Sequence, residues 1–185
     1  GAATASGESA VCLGRNSTAS GYASWVPGGI YGTTRGLRGA RAYASDRRAS
    51  DGDAQIIGQP VRITTSSTSV TTLTADASSV GSANVMVLPN SSACSFVARV
   101  AAYSPGAGDA GAWEVRGLVK RGANAAATSI VGTTTVTTIA ADAGIGSPTI
   151  NVTANTTQGA AVISVTPADS DSTYWVGDIE CIQVL

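Results

Sequence analysis

From about residue 55 onward, apolar and polar positions alternate in short runs. Cys94, Phe96, Ala98 and Val100 fall on one parity, with Ser95 and Arg99 on the other. Trp113, Val115 and Val119 oppose Glu114, Arg116 and Lys120 in the same way, and Trp175, Ile179 and Cys181 oppose Asp178 and Glu180. A period of two sends one face of a strand into a core and leaves the other in water. Such runs, bounded by Gly, Pro, Asn, Asp and Ser, predict strands near 60–66, 68–75, 84–88, 93–103, 111–121, 126–131, 133–140, 148–154, 160–166 and 173–184. No segment carries a helical period.

The first thirty residues follow a different rule. Thr4-Ala5-Ser6-Gly7 returns fourteen residues later as Thr18-Ala19-Ser20-Gly21, with Ser9-Ala10-Val11-Cys12-Leu13-Gly14 between them. A period this short matches one coil of a β-solenoid or β-roll. One or two coils cannot bury their own apolar edge, so they need neighbours: further coils upstream, or identical chains. The repeat is already under way at Gly1, as in a piece of a longer chain. The chain thus divides into a β-roll stem over 1–54 and a C-terminal tip domain over 55–185.

The tip contains a second repetition. Ser69-Val-Thr-Thr-Leu-Thr-Ala-Asp-Ala77 matches Thr135-Val-Thr-Thr-Ile-Ala-Ala-Asp-Ala143. The spacing Pro105, Asp109, Trp113 matches Pro167, Asp171, Trp175. Read as one four-strand unit used twice, the tip becomes an eight-stranded antiparallel β-sandwich, jelly-roll-like in its wiring, around two equivalent tryptophans.

Composition narrows the chemistry. Apolar residues reach 43%, enough for a core, but only 12% of residues are charged and the net charge is −1. No broad field draws in nucleic acid or anionic lipid, and no apolar run is long enough to insert in a membrane. Histidine is absent, which removes the usual general base and the commonest metal ligand. Cys12, Cys94 and Cys181 match no zinc spacing. The reading is therefore a non-enzyme with no metal and no cofactor.

Several residues remain as candidates. Asp109, Glu114, Asp142, Asp169, Asp171, Asp178 and Glu180 are the carboxylates a glycosidase would draw on, but the aspartates sit mainly in turns, where Asp bonds its own backbone. Arg35, Arg38, Arg41, Arg47 and Arg48 form a basic stem cluster. It suits either an anionic contact or ion pairs with Asp46, Asp51 and Asp53. Trp113 and Trp175 share a parity with aliphatic residues and belong to the core, whereas Tyr103 and Tyr174 point the other way, beside loops 104–111 and 167–173. Loops on a rigid scaffold are where binding resides, so Tyr103, Asp109, Asp171 and Tyr174 make the candidate receptor site. Cys94 and Cys181 both point inward and can bridge if their strands are neighbours; Cys12 is placed to meet its own copies at a threefold axis.

The pattern Ala5-Ser-Gly-x-Ser-Ala-Val-x-Leu-Gly-x-x-Ser-x-Ala-Ser-Gly21 resembles the head repeat of trimeric autotransporter adhesins, which also occurs in bacteriophage tail fibres and tailspikes. The stretches 31–45, Asp51-Gly-Asp-Ala-Gln55 and Gly111-Ala-Trp-Glu-Val-Arg-Gly-Leu-Val-Lys-Arg-Gly-Ala123 resemble segments near the C-terminal domain of such fibres. Cys12 and Cys94 depart from the pattern, which has aromatic or aliphatic residues there. The resemblance implies a homotrimer whose stem is also the trimerisation segment. It further implies the C-terminal receptor-binding region of a tail fibre, carried on the virion, with a host cell-surface glycan or envelope protein as partner. The rival readings are a capsid or baseplate decoration fibre, and a non-catalytic fragment of a polysaccharide-degrading tailspike.

Overall fold

The fourteen-residue repeat has a stereochemical origin. In the computed structural model, which describes residues 1–185, successive turns of the amino-terminal chain pair in parallel one repeat apart. Strand β1 (Thr4–Ala5) pairs with β3 (Thr18–Ala19), while β2 (Val11–Cys12) pairs with β4 (Trp25–Val26) and β4 with β5 (Arg41–Tyr43). A Cβ at Gly21 would run into the backbone carbonyl of Leu37 in the next turn, so only glycine lets the turns close up there. Ala19, Val26, Leu37, Ala40 and Ala42 fill the interior. Buried hydroxyls satisfy its backbone: Ser24 Oγ donates to the Gly21 carbonyl at 2.7 Å, and Thr34 Oγ1 accepts from Ser20 N–H at 2.9 Å.

Downstream lie β6 (Ala54–Thr65), β7 (Thr71–Thr72), β8 (Met86–Val87), β9 (Ser92–Ser104), β10 (Asp109–Arg121), β11 (Thr128–Ala141), β12 (Thr149–Asn155), β13 (Ala160–Thr166) and β14 (Thr173–Val184). They build two sheets. The larger has the order β11-β10-β9-β14-β6-β5-β4-β2, so stem and tip share one sheet through the β5–β6 pairing. The smaller, β12-β13-β7 with β8 on β13, covers its inner face. Between them lie Phe96, Trp175, Ile179, Ile57, Ile163 and Met86, all nearly inaccessible. No helix is long and apolar enough to cross a membrane.

The architecture is all-β, as the periodicity requires, but the wiring is not that of a jelly roll. β9, β10 and β11 follow one another as a meander, and the sheets hold eight and four strands. Nor does the internal match describe two equal units. Residues 69–77 form the two-residue β7 and a turn in the small sheet, whereas 135–141 run along the edge strand β11 of the large one. What the Pro–Asp–Trp spacing does achieve is placement: β10 and β14 flank β9 on either side. Their Trp113 and Trp175 rings meet inside with centroids 5.9 Å apart, tilted by 36°. The Trp175 indole N–H donates to Thr65 Oγ1 at 2.9 Å, which satisfies its one polar atom in the core.

Two element boundaries also differ. Gly132, with φ +71°, bends the chain without ending the strand, so 126–131 and 133–140 merge into β11. β6 starts at Ala54 because Gly58 and Pro60 are tolerated inside it. Pro60 lies beyond the last β5 partner, at Gly58, where that edge asks for no donor. Cys94 and Cys181 are joined in a disulfide between the adjacent strands β9 and β14, with Cα atoms 5.5 Å apart. Cys12 does not face outward toward a threefold axis. Its thiol turns into its own coil and donates to the Ser17 carbonyl at 3.3 Å.

Candidate functional site

The outward parity of the large sheet positions the site. Tyr103 on β9 and Tyr174 on β14 stand directly opposite each other in register, both about half exposed. Opposed residues on neighbouring antiparallel strands lie ~5 Å apart at Cβ, so the rings form one aromatic ledge at the end of the sheet. Asp171 joins them at that end, in the β13–β14 loop, where its backbone N–H donates to the Asp169 carboxylate at 3.0 Å. Asp109 does not join them. It begins β10 on the parity of Gly111 and Trp113, and its carboxylate packs against Gly144 on the other side of the sheet. The candidate set thus reduces to the two tyrosines with one loop aspartate.

Next to the ledge is a shallow depression of about 560 Å³. Its floor is small and apolar, from Ala101, Ala112, Val176 and Ile139, and its rim carries Arg99, Glu114 and Asp178. These charges are tied across strands. Arg99 Nε lies 3.3 Å from Glu114, and Arg116 Nε 2.7 Å from the other oxygen of the same carboxylate. Arg41 bonds both oxygens of Asp178 at 2.8 Å and reaches Glu180 at 3.1 Å. The Asp178 hydrogen bond is the main reason the Arg41 guanidinium is held charged more firmly than usual. Glu114 is mostly covered while Arg99 and Arg116 are not, so at that corner of the rim the guanidinium groups face solvent.

The basic stem cluster disperses. Arg35 is enclosed: it donates to the Gln183 side chain and, at 3.4 Å, to the Val87 carbonyl, and burial lowers its pKa to about 10. Arg38 lies 3.6 Å from Asp76 and over the Tyr22 ring at 4.2 Å. Arg47 pairs with Asp51 at 2.8 Å and stacks on Tyr31 at 4.1 Å. Arg48 uses its backbone N–H, toward Asp53 at 2.8 Å. Of the expected stem ion pairs, Arg47–Asp51 forms, while Arg38 and Arg41 find partners in the tip.

Two polar clusters escaped sequence reasoning. The buried Asp53 carboxylate accepts the backbone N–H groups of Arg48, Ala49 and Ser50, which holds its pKa below the usual carboxylate range. Asp76 accepts from Ser78 Oγ at 2.7 Å and from Asn84 Nδ2 at 2.9 Å. The available signal for both was an aspartate near Gly, Ser or Asn, the same signal every turn aspartate carries.

No protein-family model matches the chain, and no curated protein does. Among solved structures the chain is similar to the tailspike protein of Acinetobacter baumannii bacteriophage Fri1, a capsular polysaccharide depolymerase. That alignment covers 89% of this chain and 28% of that one, at TM-score 0.39 and 8% identity. It is also similar to the tailspike of Acinetobacter baumannii phage AM24, over 86% of this chain and 33% of that one, at TM-score 0.32 and 9% identity. The chain spans about a third of the length of these structures or less.

Proposed function

We propose that this chain is the distal receptor-binding part of a phage tail fibre or spike: a homotrimeric adhesin of the virion, with a stacked-coil stem and a β-sandwich tip. It holds the particle to a host-surface glycan or envelope protein, and no catalytic step belongs to this reading. The observation that carries it is the aromatic ledge: Tyr103 and Tyr174, 71 residues apart in sequence, meet in register, outward, beside an apolar depression with exposed arginines. Tyrosine offers a flat apolar face with a polar tip at low entropic cost, which suits a sugar ring or a peptide surface. The two Arg-bound carboxylates nearest the depression, Glu114 and Asp178, are already engaged in ion pairs, which supports adhesion over hydrolysis. Three linked copies would multiply a weak contact by raising its effective concentration.

Labelled protein applied to host cells tests this, with competition against phage adsorption as the second measurement. Saturable binding is expected, and Y103A/Y174A is expected to weaken it at least tenfold, a loss of about 1.4 kcal/mol or more per tip. Release of reducing ends from host polysaccharide would move the assignment to an enzyme. Unchanged adsorption at saturating protein would remove the adhesin reading.

A further inference from the structure

The other half of the outer face of the large sheet carries an apolar row that neither the core nor the tyrosine ledge uses. Tyr43 stands opposite Ile56, Ile56 opposite Ile182, and the row reaches Leu118 through Ser95. Trp25 and Val11 lie on the same outward face of the stem, one row over, in register with Arg41, since their neighbours Val26 and Ala42 point inward and are fully buried. All six apolar residues are more than a third exposed, Ile182 at 63%. The row crosses the strands, so it runs along the stacking direction of the coils, and it passes from tip to stem with one sideways step at β5, where Arg41 stands opposite Trp25.

We propose that this row is where copies of the chain meet along the fibre axis, an inference that rests on the homotrimeric reading above. Three observations favour a second copy as the occupant. The first is size. Six spacings of ~4.8 Å give a length of about 29 Å, and a width of ~12 Å gives on the order of 350 Å². That is a little under half of the ~800 Å² each partner supplies to a stable interface; Ala54, Val184 and Ala93 widen it on one side, and Arg41, Glu180 and Arg116 serve as rim on the other. The second is charge. From Tyr43 to Leu118 the row holds no charged side chain, and the adjoining band sets Arg41, Arg99 and Arg116 against Asp178, Glu180 and Glu114. Identical surfaces therefore approach without net repulsion. The third is relief. A hollow of about 260 Å³ opens between Tyr43, Ile56 and Ile182, large enough to receive a side chain from a neighbour.

The test is the mass of the whole chain by light scattering after size exclusion, over a range of concentrations. The wild-type chain is expected at about 55 kDa, three times 18.3 kDa. Ile182→Glu at the tip end and Leu13→Glu at the stem end, two residues past Val11 on its outward parity, each already more than 60% exposed, are expected to fall threefold in mass with an unchanged far-ultraviolet spectrum. Using two sites keeps the test decisive if one variant misfolds. Val70→Glu, equally exposed but outside the large sheet, is expected to keep the wild-type mass. A wild-type trimer that both row variants leave intact would overturn this interface and spare the fibre reading. A wild-type chain of 18.3 kDa at every concentration would overturn both.

Discussion

The Cys94–Cys181 bridge ties the central strands β9 and β14 across 87 residues of sequence. Its removal is a perturbation whose size follows from loop length. Closing a loop of that length costs the unfolded chain about 15 cal/mol/K, or about 4.5 kcal/mol at 25 °C, in the chain-entropy description. For a domain of this size, one kcal/mol moves the melting point by ~2–4 °C, so the bridge is worth roughly 9–18 °C. C94A/C181A is the variant to compare, because both sulfurs are buried and a reductant reaches them only through unfolding. It also removes two packed side chains, and the wild-type chain unfolded and refolded under reductant supplies the reference that separates tether from packing. The assay is a thermal melt of all three samples with thiol counting by mass. One reactive thiol, Cys12, is expected in the denatured oxidised protein and three after reduction. Three thiols before reduction, or equal melting points for oxidised and reduced wild type, would refute the reasoning.

Two further outcomes follow from the polar and backbone features. Asp76 has its pKa lowered from 3.8 to about 2, first by the Ser78 hydroxyl and also by Asn84 and Arg38. Its folded form binds a proton less readily than its unfolded form. The stability it contributes is therefore complete above pH 3.8 and lost as the pH falls toward 2. Denaturation midpoints measured across that window should show a weaker acid dependence in Asp76→Asn, and an identical slope would contradict the assignment. Gly21→Ala places a methyl against the Leu37 carbonyl and is expected to cost ~1–3 kcal/mol or to disorder the first coils, read as lost amide protection in residues 1–20. Full protection there would mean that the coils do not need the close approach.

Much of the fold was legible because alternation is a local property. The runs around Phe96, Trp113 and Trp175 gave the parity of three central strands, and with it the inward tryptophans, the inward cysteines and the outward tyrosines. Parity does not name neighbours. Nothing in the alternation says that β14 inserts beside β9, so the match between residues 69–77 and 135–143 was free to suggest a duplication the chain does not contain. Gly58, Pro60 and Gly132 read as breakers because isolated strands do not tolerate them, whereas an open edge and a bulge do. The outward placement of Tyr103 and Tyr174 was legible for the same reason, since it depended only on parity. Asp109 was chosen for its loop, and a loop residue's side is set by tertiary contacts. The arginines were grouped by proximity in sequence, but the turn into β5 sends Arg38 and Arg41, three residues apart, to different partners, Asp76 and Asp178.

The shared sheet has a mechanical consequence. Tension applied between the first coil and the tip acts along the hydrogen bonds that join coil to coil, so it meets them singly, and the stem should peel turn by turn at low force. Past β5 the pull enters long strands fastened side by side, with a covalent rivet at their centre. If the chain serves in the proposed fibre, its first coils would stretch while the disulfide-tied sheet keeps its shape.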